Sequence, residues 1–235
     1  MDEKNKDSSL YYARKRLAVL RQAGLPNLGG AYTNLYKSFG NKEILSNLSY
    51  SFKCGKLYVI VGYSGSGKST FLHIVANYIP KDKGKIKYKD KLISKNDVTL
   101  VLQHPYFLGD LRIIDNLKIS SLFRHLNNRK IRQKYTKALQ ISHILQRRAN
   151  VCSGGEKARA NILRGIIERK HILLIDEPTA HLDFKNSQIV AKLLSELSAN
   201  KIVIVTTHQP SLFKSGNTIF LRIKNGVFHE DNNII

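Results

Sequence analysis

The chain is short of acidic residues, of cysteine and of long apolar runs. Its 235 residues include 17 acidic and 39 basic ones, a formal net charge of +22. Cys54 and Cys152, the two cysteines, form no C-x-x-C pair, so the sequence predicts neither a disulfide framework nor a cysteine metal site. No apolar run approaches the ~18 residues of a membrane-spanning helix. The N-terminus is charged and lacks an apolar signal stretch, so we expect the chain to remain in the cytosol.

The positive charge is concentrated in two stretches. No acidic residue occurs between residues 116 and 155. The basic residues of that stretch are Lys118, Arg124, Arg129, Lys130, Arg132, Lys134, Lys137, Arg147 and Arg148. A second cluster alternates with other residues and consists of Lys81, Lys83, Lys85, Lys87, Lys89 and Lys91. Such clusters indicate either a negative partner, anionic lipid or nucleic acid, or a compositional bias with solvated side chains. Charge alone names no partner, so both interpretations stand.

The most informative segment is a glycine-rich loop, residues 62–70 (GYSGSGKST), directly after the apolar run 57–61. It matches G-x-x-x-x-G-K-[ST] in the required context, with a buried strand before it and a helical segment, 71–76, after it. Its glycines let backbone N–H groups wrap around phosphate oxygens, and the N-terminus of the following helix favours an anion. We expect the loop to bind a nucleoside triphosphate, with Lys68 at the β- and γ-phosphates and the Ser69 hydroxyl on Mg²⁺.

A second motif and an acidic pair lie further along the chain. Residues 152–156 read Cys-Ser-Gly-Gly-Glu and precede a helical run that ends at Arg169. The apolar run 172–175 then ends in Asp176 and Glu177, which predicts a buried parallel strand that delivers carboxylates to its C-terminal end. We expect Asp176 to hold Mg²⁺ through water and Glu177 to polarise an attacking water.

Together, and in this order, the motifs resemble those of the nucleotide-binding subunits of ABC transporters, over roughly residues 32–228. The resemblance makes residues 62–70 the Walker A loop, 152–156 the signature and 172–177 Walker B. It also assigns Gln103 as the Q-loop glutamine, residues 180–183 as the D-loop and His208 as the switch histidine. It implies that the chain binds ATP and Mg²⁺ and hydrolyses ATP.

The resemblance also assigns individual roles. The residues that it implies for the nucleotide are Phe39, Gly62, Ser64, Gly65, Ser66, Gly67, Lys68, Ser69, Thr70, Gln103, Ser153, Gly154 and Gly155. Those that it implies for the metal are Ser69, Gln103 and Asp176. Those that it implies for catalysis are Lys68, Glu177 and His208.

Some positions depart from the family pattern. Phe39 stands where tyrosine usually stacks on adenine, and Tyr32 and Tyr36 are nearby alternatives. Cys152 replaces the usual leucine of the signature and, as a small apolar residue, should pack inward. Ala158 stands where glutamine is frequent. None of these changes removes a group that the chemistry needs, which argues against an inactive regulatory member of the family.

The expected fold is α/β: a P-loop NTPase core with a mainly parallel sheet, an antiparallel β part near the N-terminus and a helical lobe. Residues 1–30 are expected to be a basic N-terminal extension, with a short helix favoured at 8–20. Residues 31–235 are the expected ATP-binding domain, with the helical subdomain at approximately 104–155. The sequence also predicts strands at 98–102 and 202–205 and hairpins around residues 86–93 and 218–228.

The resemblance implies partners as well. Two such chains, most simply a homodimer, pair head to tail, so that the signature of one closes on the γ-phosphate held by the other. A separately encoded membrane-spanning permease would place the chain on the inner face of the cell membrane, as an ATPase that powers transport. The substrate would be selected by that permease. The short segment before Gln103 is shared with several importers, whereas Glu156 is common in exporters, so the direction of transport stays open.

The alternative is a soluble ABC-type ATPase that acts on nucleic acid or the ribosome. The positive charge favours this alternative. However, such proteins usually carry two cassettes in one chain or long coiled-coil insertions, and this sequence has neither. Nucleic acid is therefore not the expected partner.

Overall fold

The computed structural model describes residues 30–122 and 129–231. The N-terminal extension and the helix expected at 8–20 lie outside the described residues. Within the described part, two sheets and five α-helices form the molecule.

A six-stranded sheet carries the core. Its strands are β3 (Leu57–Val61), β6 (Val98–Val101), β7 (Ile172–Asp176), β8 (Ile202–Thr206), β9 (Thr218–Lys224) and β10 (Val227–Glu230), in the spatial order β10-β9-β3-β8-β7-β6. The pairs from β9 to β6 are all parallel, and β9–β10 is an antiparallel hairpin. Every residue of β3, β7 and β8 is buried, because central parallel strands are covered on both faces.

A smaller antiparallel sheet overlies this core. It consists of β1 (Gly30–Phe39), β2 (Lys42–Phe52), β4 (Lys83–Tyr88) and β5 (Lys91–Leu92), in the order β2-β1-β4-β5. Aromatic side chains join it to the main sheet: the Phe52 ring lies 4.7 Å from that of Tyr58, and the Tyr50 ring lies 5.8 Å from that of Phe228, both edge to face. Such pairs add to the stabilisation that burial provides.

The helices are α1 (Lys68–Val75), α2 (Ile113–Leu122), α3 (Arg129–Ala138), α4 (Gly154–Ile167) and α5 (Phe184–Ser198). Alternation along the central strands sends side chains to opposite faces. Leu57 and Val59 join a core cluster with residues of α4 and α5, whereas Tyr58 and Ile60 join a second cluster with α1 and β2. Helices on one face, and a helix with a sheet on the other, therefore bury the central strands.

Most sequence expectations agree with this architecture, including the α/β fold with parallel and antiparallel parts. The 86–93 and 218–228 hairpins form as β4–β5 and β9–β10, and Cys152 is buried. The strand predicted at 98–102 ends one residue early, since Leu102 is 39% exposed. Helices α2 and α3 and two short 3₁₀ turns occupy the described part of residues 104–152; a separate helical subdomain there stays a prediction. Across the described ranges, no helix has the length and apolarity that crossing a bilayer requires.

The topology brings four segments to one edge of the main sheet. The neighbouring parallel strands β3, β8, β7 and β6 all point the same way. Their carboxyl ends continue into the Walker A loop, His208, Glu177 and Gln103, respectively. Open α/β sheets place their ligand sites at this edge, so segments distant in sequence become adjacent there.

Candidate nucleotide-binding and catalytic site

A cavity of about 560 Å³ lies at the carboxyl edge of the main sheet. We call it the nucleotide cavity. Its lining consists of Phe39, Lys42, Ile44, Ser64, Gly65, Gly67, Lys68, Ser69, Thr70, Gln103, Glu177, Thr179, Ala180, His208 and Gln209. The structure thus brings ten of the sequence-selected residues to one cavity. Gly62, Ser66, Asp176 and the signature residues 153–155 lie outside this lining.

The backbone of the Walker A loop requires glycine at its closest approach to the protein. Gly67 has a φ of 98°, and a Cβ there would lie 2.9 Å from Ile44 Cγ2. Gly65, with φ of 79°, also lies in the left-handed region. Ser66 Oγ is buried and has no hydrogen-bond partner among the described residues. A loop that wraps inward and keeps a buried hydroxyl unsatisfied fits an anionic ligand with many acceptor oxygens.

Lys68 begins α1 and lies at the floor of the cavity. Its Nζ donates to the carbonyl oxygens of Gly62 at 2.7 Å and Tyr63 at 3.1 Å. Burial lowers the pKa of the Lys68 ammonium, while Glu177 and Asp176 act in the opposite direction. The loop carbonyls hold the ammonium within reach of an anion bound by the loop.

Asp176 is oriented by a residue that the sequence analysis did not select. The Thr206 hydroxyl donates to Asp176 Oδ1 at 2.5 Å, and the two residues are register partners on β7 and β8. Both are buried. The only signal in the sequence is a threonine at the end of the apolar run 202–205, too common a feature to indicate a role.

The oxygen groups near the cavity fit Mg²⁺ on a bound triphosphate. In the described part of the chain, no group of three or more His, Cys, Asp or Glu side chains could hold a metal by itself. A hydroxyl, an amide and one carboxylate are present instead, on Ser69, Gln103 and Asp176. Mg²⁺ typically takes one or two protein carboxylates together with phosphate oxygens and waters, so this donor set suits a metal that arrives with the nucleotide.

Glu177 and His208 form a pair at the back of the cavity. The His208 backbone N–H donates to Glu177 Oε2 at 3.3 Å, and His208 Nε2 lies 3.2 Å from Oε1. Glu177 Oε1 is buried and has no hydrogen-bond partner among the described residues. Burial raises the pKa of the Glu177 carboxyl and Asp176 raises it further, although His208 and Lys68 lower it. A carboxylate with a raised pKa is suited to accept a proton near neutral pH.

The backbone at Glu177 is in a conformation that is rare for this residue type. Its φ is 47°, in the left-handed region. The Glu177 N–H is shared between the carbonyl oxygen of Thr206 at 3.2 Å and its hydroxyl at 3.1 Å. Non-glycine residues held this way concentrate at functional sites, and here the conformation turns the Glu177 side chain into the cavity.

Phe39 ends β1 at the mouth of the cavity. The residue is half exposed, at 49%, and Lys37 Nζ lies 5.1 Å from its ring centroid. Asp82 fixes Lys37 with an ion pair of 2.7 Å. Tyr36, one alternative from the sequence, is absent from the cavity lining and lies beside Lys83 instead. Of these two aromatic residues, Phe39 alone lines the cavity.

The signature forms the N-terminus of α4. Ser153 Oγ accepts from the Glu156 N–H at 3.2 Å, and Glu156 Oε2 accepts from the Ser153 N–H at 2.8 Å, a reciprocal capping box. His143 and Arg147 hold the Glu156 carboxylate at 3.1 and 3.3 Å. Burial raises the pKa of Glu156, but these hydrogen bonds and charges outweigh it and leave the pKa below its usual value. The signature is therefore a fixed helix terminus with Ser153 and Gly154 exposed.

Arg159 is the second residue that the sequence analysis missed. It is 7% exposed, and its Nε has no hydrogen-bond partner within residues 30–122 and 129–231. It lies near the D-loop: its charge helps the hydrogen bonds from Asn186 to lower the pKa of Asp183. One indication was present in the sequence: Arg159 is the single charged residue of the run Ala158–Leu163, which is mostly small and apolar. A charge buried in such a run requires a partner or a function.

Comparison with known proteins gives the family. A sequence model of the ABC transporter family matches residues 45–180. The phosphonates import ATP-binding protein PhnC of Fusobacterium nucleatum subsp. nucleatum is 32% identical over 216 residues, which cover 82% of this chain and 87% of that protein.

Solved structures share the fold. A nucleotide-free ATP-binding cassette from an ABC transporter matches with a TM-score of 0.73 and 21% identity, covering 86% of this chain and 90% of that one. A bacterial Atm1-family ABC exporter with ATP bound matches with a TM-score of 0.75 and 23% identity over 87% of this chain, which spans 38% of the exporter chain. The family match and the close relative show that the chain belongs to the ABC transporter family, as one of its ATP-binding subunits.

Proposed function

We propose that two copies of this ATPase subunit enclose ATP between them and thereby power a membrane transporter. One observation carries this proposal. The phosphate loop, Glu177 and His208 converge on one cavity, whereas Ser153 and Gly154 lie exposed outside it. A chain that fixes a set of phosphate-directed donors away from its own phosphate loop is suited to supply them to a second copy.

Each residue of the cavity has a separate task. The loop N–H groups and Lys68 bind the phosphates, and Phe39 stacks on adenine. Ser69, Gln103 and Asp176 hold Mg²⁺, which when bound neutralises charge on the β- and γ-phosphate oxygens. Glu177 accepts a proton from the attacking water, and His208 orients the Glu177 carboxylate through its backbone N–H. Catalysis then depends on positioning and charge stabilisation.

The second copy completes the site. Helix α4 directs its positive N-terminal end and the Ser153 hydroxyl toward whatever lies beyond the signature. Gly154 leaves that approach open, since a Cβ there would meet nothing within 4 Å. A γ-phosphate between the loop of one chain and the signature of the other favours the closed dimer, and its hydrolysis releases the two chains.

We further propose that a separately encoded membrane-spanning permease is the partner, and that it holds the chain at the inner face of the cell membrane. The relative PhnC is an import ATP-binding protein by name, which agrees with a transport role. The closing and opening of the dimer would drive the permease.

A mixing experiment tests the shared site. Lys68→Ala removes the phosphate-binding ammonium, and Gly154→Asp places a negative charge where the partner's γ-phosphate would lie. We expect each variant alone to be inactive. A mixture of the two contains heterodimers in which one site has both a normal Lys68 and a normal Gly154, so ATPase activity should return. Phosphate release is measured before and after the purified chains are mixed.

Gly154 is chosen rather than Ser153 so that a loss of activity is not caused by a loss of stability. Ser153 caps α4, and its replacement would destabilise the helix by roughly 1 kcal/mol. An acid in the first helical turn is favourable, so Gly154→Asp should fold normally by circular dichroism. If the mixture hydrolyses ATP no faster than the separate variants, the signature of one chain does not contribute to the ATP site of the other, and the proposal fails.

A further inference from the structure

Helix α3 exposes a row of basic side chains. Lys130, Lys134 and Lys137 are spaced by four and three residues and so lie on one face of the helix. All three are exposed, as is Arg129. Arg129 lies on a different side of the helix, the side of the buried Thr136 seven residues later. We call the three lysines Lys130, Lys134 and Lys137 the α3 face.

The α3 face has no internal neutralisation. No carboxylate in residues 30–122 or 129–231 forms an ion pair with Arg129, Lys130, Lys134 or Lys137. Some other cations in this part of the chain are paired, such as Arg112 and Lys118, which Asp115 binds at 2.7 and 3.1 Å. Four like charges on ten residues of helix repel one another, so a negative partner on this face would relieve a repulsion that the fold leaves in place.

The chemistry of the face favours a lipid surface over nucleic acid. The cations of the face are lysines, compact point charges that are attracted to a negatively charged surface as a whole. Tyr135, the aromatic residue of α3, is only partly exposed and has Lys134 Nζ 5.3 Å from its ring centroid, so the exposed face offers no platform for base stacking.

From these observations we infer that the α3 face binds the anionic phospholipid headgroups of a bilayer. The proposal goes beyond the proposed function, because it gives the ATPase subunit a direct contact with the membrane in addition to any contact with a permease. Lysines within a Debye length of a negative leaflet are each attracted to it. The row of three spans about 10 Å along the helix, short enough for all three to meet a flat surface together.

The second basic cluster supplies a matched control. Lys83, Lys85 and Lys87 alternate along β4 and are all exposed. They belong to the antiparallel sheet and are not part of α3 or of the nucleotide cavity. Replacing either set of three lysines by glutamine removes the same net charge. If the α3 face binds lipid, the α3 variant should lose more vesicle binding than the β4 variant. If net charge alone matters, the two variants should lose the same amount.

The experiment measures co-sedimentation of the full chain with vesicles at ~150 mM salt, without ATP. The vesicles contain either phosphatidylcholine alone or phosphatidylcholine with ~30% phosphatidylglycerol. The proteins are the unchanged chain, the α3 variant with Lys130→Gln, Lys134→Gln and Lys137→Gln, and the β4 variant with Lys83→Gln, Lys85→Gln and Lys87→Gln. Glutamine and lysine have similar helix propensities, so α3 should persist, which circular dichroism checks.

We expect the unchanged chain to bind the anionic vesicles and not the neutral ones. The α3 variant should bind them on the order of 100-fold more weakly, about fivefold for each lysine near the surface. The β4 variant should lose less than ~10-fold, because charges farther than ~8 Å from the lipid are screened. Equal losses in the two variants, or an α3 variant that binds normally, would overturn the proposal.

A parallel arm uses single-stranded RNA and duplex DNA in place of vesicles. If the α3 substitutions abolish nucleic-acid binding but leave vesicle binding intact, the face belongs to a nucleic acid and the lipid proposal is wrong. ATP hydrolysis by the same variants in lipid-free solution is expected to be normal. Because vesicle binding is measured without ATP, the lipid proposal and the proposed function are tested by separate measurements.

Discussion

Gly155 packs directly against the carbonyl oxygen of His181: a Cβ added at Gly155 would lie 3.1 Å from that oxygen. Gly155 belongs to the signature, and His181 to the D-loop that follows Glu177. Arg159, one turn further along α4, lies near Asp183 of the same loop. The signature and the D-loop of one chain are therefore close to each other, through backbone packing and a buried charge.

The two neighbouring signature glycines should respond differently to alanine. At Gly154 a methyl group meets nothing within 4 Å, and alanine stiffens the unfolded chain, so Gly154→Ala should raise the free energy of unfolding by ~0.5–1 kcal/mol. At Gly155 the methyl group crowds His181, and overpacking of ~1–3 kcal/mol offsets that gain. Chemical denaturation of the two variants gives the comparison.

Gly154→Ala should lower the ATPase activity even though it raises the stability of the chain. In the proposed dimer, the lack of a side chain at Gly154 lets the phosphate bound by the second copy approach the helix. The methyl group of Gly154→Ala should block this approach and lower ATPase activity on the order of 100-fold, the scale for a lost anion-stabilising contact. A Gly154→Ala variant that keeps normal turnover would mean that nothing approaches this glycine closely.

Glu177→Gln tests the proton acceptor. Glutamine keeps the size of the side chain but has no basicity, so hydrolysis should fall by ~100-fold or more, as for the loss of a positioned base, while ATP binding persists. With ATP and Mg²⁺ the variant should accumulate as a dimer in size-exclusion chromatography. Glu196→Gln, at an exposed position of α5, is the matched control and should hydrolyse ATP normally. Near-normal turnover by Glu177→Gln would rule out the assigned role.

The same substitution should have a pH-dependent effect on stability without nucleotide. The pKa of Glu177 in the folded chain is raised above 4.5, mainly by burial. The stability that this carboxyl contributes is fully present below its unfolded pKa and is lost as the pH rises through the folded pKa. Glu177→Gln does not titrate, so its melting temperature should equal that of the unchanged chain near pH 4 and exceed it at neutral pH. Thermal unfolding from pH 4 to 8 measures the difference; a constant or shrinking difference would contradict the raised pKa.

Local sequence patterns predicted the parts of this site that a single segment encodes. The Walker A loop could be predicted because its glycines and lysine lie within nine residues and follow a buried strand. The strand ending at Asp176 and Glu177 is equally local, because four apolar residues and two acids stand in one run. The order of the motifs then places their strand ends at one edge of a parallel sheet.

The residues that were missed act through partners that are far away in sequence. Thr206 matters because the register of β7 and β8 sets it opposite Asp176. Arg159 matters because α4 buries it near a loop more than twenty residues further along. Likewise, the left-handed backbone of Glu177 depends on its N–H being shared with Thr206. Such relationships arise from packing, and no pattern of adjacent residues carries them.

Phe39 offers the sharpest test of the nucleotide cavity, because sequence alone left three aromatic residues as candidates for adenine. Lys37 lies 5.1 Å from the Phe39 ring centroid and Asp82 holds it there, so the ring is supported at the cavity mouth. Stacking of a base on an aromatic ring contributes ~1–3 kcal/mol. Phe39→Ala should therefore weaken ATP binding by roughly 5- to 150-fold, and Phe39→Tyr should preserve it.

Tyr36→Ala is the control, since Tyr36 lies three residues earlier on the same strand but outside the cavity lining. Calorimetric titration with ATP and with the base-free ligand triphosphate separates the two contributions. Phe39→Ala should reduce affinity for ATP and leave that for triphosphate unchanged, because the phosphate loop is intact. If Tyr36→Ala reduces ATP affinity as much as Phe39→Ala does, or if triphosphate binding falls equally, then Phe39 does not stack on the base and the adenine end of the site must be assigned elsewhere.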